Sequence, residues 1–158
     1  MSGDLTYVGL DTLARETLAD MMDLETRRLS SGPGLDAEDL EGLLDILLGP
    51  PGRVVRHAVM MDGRAVGRID FNHSKSFVSV GFMVHRDFRG RGIMSRAWRD
   101  LQPIHGDLYS AACWSHNLAA RRTLASIGFR ERGFVMQHEF PVVLHSLDAS
   151  SASTPRTA

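Results

Sequence analysis

The chain has 158 residues, 43% of them apolar and 23% charged, with a net charge of −1 and a single cysteine, Cys113. That is enough for one domain with a sizeable core and too little for two. The near-neutral charge argues against a nucleic-acid partner, one cysteine excludes an intramolecular disulfide or a cysteine metal cluster, and no apolar run suggests a membrane span.

The N-terminus, MSGDLTYVGL, lacks the basic start and apolar run of a signal peptide, so a cytoplasmic location is expected. Leu5–Leu10 reads as a short strand. Asp11 or Thr12 can cap a helix reaching Leu29, and the stretch Ser30–Gly34 breaks it. A second helix is expected over Asp36–Leu48, its acidic start suiting the helix dipole and the following Gly49-Pro50-Pro51-Gly52 ending it. Arg53–Met61 and Ala65–Asn72 read as a hairpin turning at Asp62-Gly63. In the next strand Val78, Val80, Phe82 and Val84 recur with the period of one buried face.

A Gly- and Arg-rich loop follows at Arg89–Gly92 and opens a helix expected to stop near Pro103. Asp107–Trp114 reads as a strand and Asn117–Ser126 as a helix with Gly128 as its C-cap. Phe129–Phe134 and Gln137–Leu147 read as two last strands with a bend near Gly133. Residues 147–158 are small and polar and are expected to be disordered, leaving 1–146 as the domain. Antiparallel strands first and a strand–helix–strand–helix–strand passage later predict a single mixed-sheet α/β (α+β) domain.

A backbone that passes from strand to helix through glycines leaves N–H groups free at the positive end of the helix dipole, a geometry that binds phosphate. No Walker loop is present. Gly90, Gly92 and Ser95 partly mimic a dinucleotide fingerprint, but no acid ends the strand that follows. Alone, the loop predicts a phosphate-bearing ligand, with a merely solvated turn as the bland alternative.

A second segment narrows the choice. The loop resembles the central motif of the GNAT superfamily of acyl-CoA-dependent N-acyltransferases, R/Q-x-x-G-x-G/A, with Arg89 and Gly92 matching and Met94 where Gly or Ala is usual. The approach VHRDFRGRGI is similar to the family's V-x-P-E-Y-R-G-x-G-I, with Arg86 in place of Pro. Downstream, Asn117, Ala120, Gly128 and Phe129 match N-x-x-A/S…G-F. The resemblance implies a GNAT fold: a mixed, mostly antiparallel sheet with splayed middle strands and about four flanking helices. It implies acetyl-CoA as cosubstrate, with pyrophosphate on Arg89, Gly90, Arg91, Gly92, Ile93 and Met94 and pantetheine along Met83 and Val84. Asn117 would orient the cofactor or its turn.

The implied activity is acetyl transfer from acetyl-CoA to a primary amine, either a small molecule or a protein N-terminus or lysine. Many GNAT enzymes carry a proton-donating Tyr seven residues after the motif Asn, where this chain has Leu124. The segment NLAARRTLASIGFRERG is more similar to the Rim-type branch acting on ribosomal-protein N-termini, which commonly has an aliphatic residue there. A non-catalytic acyl-CoA-binding or sensing module is the alternative. Asp70, His85 and His116 are the base candidates, with His73 beside them. Acids of the first two helices are expected to favour a cationic amine. Cys113, Trp98 and Trp114 are assigned to packing, no metal site is expected, and the last strands leave a homodimer open.

Overall fold

The computed structural model describes residues 3–30, 36–137 and 139–152. Strand β1 (Leu5–Gly9) lies antiparallel to β2 (Val54–Met61), which turns back into β3 (Arg64–His73) and then β4 (Val78–Val84). Strand β5 (Leu108–Trp114) runs parallel to β4, and β7 (Phe140–Asp148) and β6 (Arg130–Gln137) complete the seven-stranded order β1-β2-β3-β4-β5-β7-β6.

Local chemistry explains these elements and the departures from expectation. Asp62 and Gly63 both adopt positive φ, 52° and 76°, as a hairpin turn matched to strand twist requires. The pairing then shifts between Val59 and Met60, so Met60 faces Ala65, Val59 faces Gly67, and Val66 is the extra residue of a bulge. The single helix expected to reach Leu29 is instead a turn at Leu10–Thr12 and two helices, α1 (Arg15–Met21) and α2 (Leu24–Ser30). Asp23 causes the break: its Oδ1 accepts from the Thr26 N–H at 2.8 Å, starting a new helix there.

Helix α3 (Leu40–Leu48) begins later than Asp36, because Asp39 caps it by accepting from the Gly42 N–H at 2.9 Å. Helix α4 (Ile93–His105) continues past Pro103 and ends at Gly106. Helix α5 (Leu118–Ser126) has Asn117 as its N-cap. Gly133 sits at a register shift between the last two strands rather than at their turn, which falls between Gln137 and Phe140. Leu147 and Asp148 still pair with β5, and a final turn, α6 (Ala149–Ala152), follows, so the ordered chain runs past the expected start of the tail. The break expected at Ser30–Gly34 and the tail beyond residue 152 fall largely outside the described residues.

Two apolar cores lie on the two faces of the sheet. One gathers Ile69, Phe71, Val78 and Val80 with Ile93, Met94, Trp98 and Leu101 of α4 and Leu124 of α5. The other joins Ala58, Ala65 and Met83 to Leu18 and Met21 of α1 and Leu43, Leu44 and Leu47 of α3. Fully burying one such side chain contributes roughly 1.5–3 kcal/mol.

Candidate active site

The central pair of strands separates. Strands β4 and β5 pair only where Val78, Ser79 and Val80 meet Tyr109, Ser110 and Ala111. Beyond Val80 the two strands diverge, and Ser79 Oγ and Ser110 Oγ, 3.1 Å apart, close the narrow end. Backbone groups of Gly81–Val84 and Ala112–Trp114 therefore face an opening instead of each other, which leaves them for a ligand or water.

That opening continues into the loop. The lower part is lined by Val80–Phe82, Ala112–Trp114, Leu124 and Val142, the upper part by Phe82–Val84 and Phe88–Ser95, and both share Phe82, Asn117, Ala120 and Leu29. The cleft is thus one trough from the closed end of the splay to the start of α4.

At the upper end Gly90 and Gly92 adopt φ of 75° and 70°, a left-handed conformation that L side chains enter with strain. Gly92 is the N-cap of α4, whose first N–H groups have no partner within the helix. A Cβ at Gly90 or Gly92 would meet nothing within 4 Å, so the space over the loop is free. A pyrophosphate fits here: donors, dipole and room coincide.

The side chains around the loop divide in direction. Arg91 lies over the Phe88 ring at 5.0 Å. Arg89 turns to α2, donating to Thr26 Oγ1 and reaching Glu25 at 3.8 Å. Met94, which stands where a small residue is usual, does not project into the cradle: it is 4% exposed and packs in the core, its Cε 3.7 Å from where a Cβ on Gly67 would lie. Met83 is buried and Val84 half-buried at the rim of the cleft. Asn117 both caps α5, accepting from the Ala120 N–H at 3.2 Å, and donates from Nδ2 to the Leu29 carbonyl at 3.2 Å.

The base candidates are separated by the structure. Asp70 lies on β3 directly beside Gly81 of β4, at the level where the splay begins. Burial holds its carboxyl above the usual range, against the opposing pull of Arg68, Arg56 and His57. Its Oδ2 stands 3.4 Å from Arg68 Nε.

His85 is 4% exposed, accepts from the Asp87 N–H at 3.1 Å, and does not line the cleft. His116 is exposed on the turn before α5, its ring beside those of Trp114 and Phe140. His73 is at the far end of β3, bonded to His105. None of the four lines the trough itself; Asp70 is the cross-strand neighbour of Gly81, which does. Cys113 lines it too, but burial raises its thiol to about 11, so it stays protonated at neutral pH.

Two clusters were not foreseen. His57, His105 and His73 form a chain with ring nitrogens 2.9 Å apart at each step, and Arg56, Arg68 and Asp70 share one sheet face. Among the described residues no group of three or more His, Cys, Asp or Glu could hold a metal ion, and no helix is long and apolar enough to cross a membrane.

A seven-stranded mixed sheet that splays at its centre and ends in a glycine-linked helix start defines the fold class of coenzyme-A-dependent acyltransferases. The family model "Acetyltransferase (GNAT) family" matches residues 18–129. The chain belongs to that family.

No curated protein matches it significantly by sequence. Among solved structures it is similar to the Salmonella typhimurium acetyl transferase described as modifying the N-terminal serine of ribosomal protein L7/L12, with 18% identity, TM-score 0.73, and coverage of 93% of this chain and 96% of that one. It is also similar to AAC(6')-Ib in complex with ribostamycin and coenzyme A, at 14% identity, TM-score 0.71, covering 97% and 98%. A Bacillus anthracis GNAT acetyltransferase gives 14% identity and TM-score 0.70 over 94% and 98%. At these identities the neighbours establish the fold.

Proposed function

We propose that the protein transfers an acetyl group from acetyl-CoA to a primary amine. The observation that carries this reading is the continuity of the glycine cradle with the β4–β5 opening, a single trough with donors at one end and unpaired strand backbone along it. Acetyl-CoA, when bound, supplies the acetyl thioester.

The main-chain N–H groups of Arg89–Met94 hold the pyrophosphate, with Arg91 adding charge, while Met83 and Val84 bond pantetheine as a neighbouring strand would. Asn117 keeps the α5 turn against α2 and so fixes the width of the trough. Asp70 takes one proton from the incoming ammonium across Gly81, whose missing side chain leaves the approach open, so that the neutral amine is the nucleophile. Attack by the amine nitrogen forms the C–N bond and breaks the C–S bond. The nitrogen's second proton passes through water to the leaving thiolate, since Leu124 offers none. His85 and His116 do not act as bases in this reading.

The acceptor class follows the relatives only in outline: a small amine, or a protein N-terminus or lysine. Calorimetric titration with acetyl-CoA tests the reading, and absence of binding at millimolar ligand overturns it. Release of free thiol against an amine panel tests catalysis. One observation favours the alternative of a sensing module: Leu124, 1% exposed, stands where the family commonly places its proton donor. Acetyl-CoA binding without thiol release on any amine would select that alternative.

A further inference from the structure

Arg56 and Arg68 have no role in the reaction as described, and their surroundings are unusual. Arg68 is 9% exposed, and among the described residues the Nε and Nη1 atoms of both guanidinium groups are buried without a hydrogen-bond acceptor. Leaving such donors unpaired costs their desolvation, so buried arginines ordinarily meet carboxylates or carbonyls. The one acid between them, Asp70, approaches Arg68 Nε at 3.4 Å and leaves its own Oδ1 unbonded. Two guanidiniums against one carboxylate leave the cluster one positive charge in excess.

The register fixes where this charge lies. Arg56, Asp70 and Gly81 are neighbours across β2, β3 and β4, and Arg68 is two residues along from Asp70 on the same face. The apolar core on this face covers Ala58, Ala65 and Met83, and above Gly81 a Cβ would meet nothing within 4 Å. We infer that Arg56 and Arg68 receive an anionic group of the acceptor, so that the substrate is an amine carrying a carboxylate at some distance from its nitrogen.

This inference rests on the acetyltransferase reading for the place of the amine, over Gly81 beside Asp70. Arg68 Nε stands 3.4 Å from Asp70 Oδ2, and Arg56 lies one strand further from Gly81 than Asp70 does. A carboxylate about four to six bonds from the amine can reach the guanidiniums while the nitrogen stays over Gly81. The planar fork of arginine suits a carboxylate in two-point contact.

The test uses δ-aminovalerate and its uncharged counterpart δ-aminovaleramide, with the peptide amide Ser-Asp-NH2 against Ser-Asn-NH2 as a second pair. Thermal unfolding without acetyl-CoA should show stabilisation by the acid of at least one pair and not by its amide. With acetyl-CoA, kcat/KM for that acid should exceed that of its amide by at least about tenfold. Arg68→Gln and Arg56→Gln should each shrink the advantage. Which pair discriminates tells a free amino acid from an acidic peptide N-terminus.

Equal stabilisation and equal kcat/KM within both pairs of the unsubstituted protein overturn the inference, while turnover of the amides would leave the acetyltransferase reading standing. Loss of that reading through absent acetyl-CoA binding is a separate result, because the carboxylate-dependent shift is measured without the cosubstrate.

Discussion

At the scale of single residues, Asp70 is the base of the proposed reaction, and burial sets its behaviour. Because its folded-state carboxyl titrates above the ordinary range, the fraction able to take a proton grows as pH rises through that raised value. The rate of acetyl transfer should therefore fall on the acid side of a limb displaced upward from ~3.9, the ordinary Asp value. Asp70→Asn should remove that limb and lower kcat by about 10²–10⁴ with acetyl-CoA affinity unchanged, as read from a pH–rate profile and calorimetry. An unaltered profile would exclude Asp70 as base. Gly92 gives the cradle its counterpart. A valine there would be strained at φ 70° and would place carbons over the free N–H groups. Acetyl-CoA affinity should fall at least tenfold, with the far-ultraviolet spectrum retained, and wild-type affinity would place the phosphate site elsewhere.

Elements show what sequence reasoning reached and where it stopped. The glycine loop and the strand before it were legible because each rests on a local rule: period two in the strand, glycines between strand and helix. Asn117 was expected as the first helical residue and is instead the cap of α5. The Arg56–Asp70 pairing was not. A two-residue hairpin continued without interruption would set Arg56 opposite Ile69, and only the bulge at Val66 moves it opposite Asp70. Nothing in VMMDGRAVGRID marks that extra residue unambiguously. The break before α2 was hidden for a similar reason, since Asp23 reads equally well as an ordinary residue of a longer helix.

The histidine chain joins β2, β3 and the end of α4, and needs the same register to form. Burial, then His57 and His73, lowers His105 to about 4. Its folded state resists a proton that the unfolded chain takes near 6.5, so this contribution to stability is present above ~6.5 and lost as pH falls toward that lowered value. The urea midpoint should decline across this window, and His105→Leu should flatten the decline. An equal decline in the variant would assign the pH dependence to other groups.

At the scale of the whole molecule, the two cores cover both faces of the sheet at β3 while β6 stays exposed, and the cores are unequal in what they hold. Phe71, fully buried, touches Trp98, His105 and Tyr109 through ring contacts and so ties β3 to α4 and β5. Phe71→Ala should cost about 3–5 kcal/mol in chemical unfolding. A loss below 1 kcal/mol would mean that the core closes over the gap. The seam between β4 and β5 has a mechanical meaning as well. Strands β1–β4 and β5–β7 are two panels joined within the sheet by a short run of backbone pairing, with a pair of serines and the Phe71–Tyr109 ring contact beside it. An extended ligand lying in the opening would act as a removable eighth strand, so loading and release of cosubstrate would alternately stiffen and loosen the joint between the panels on every turnover.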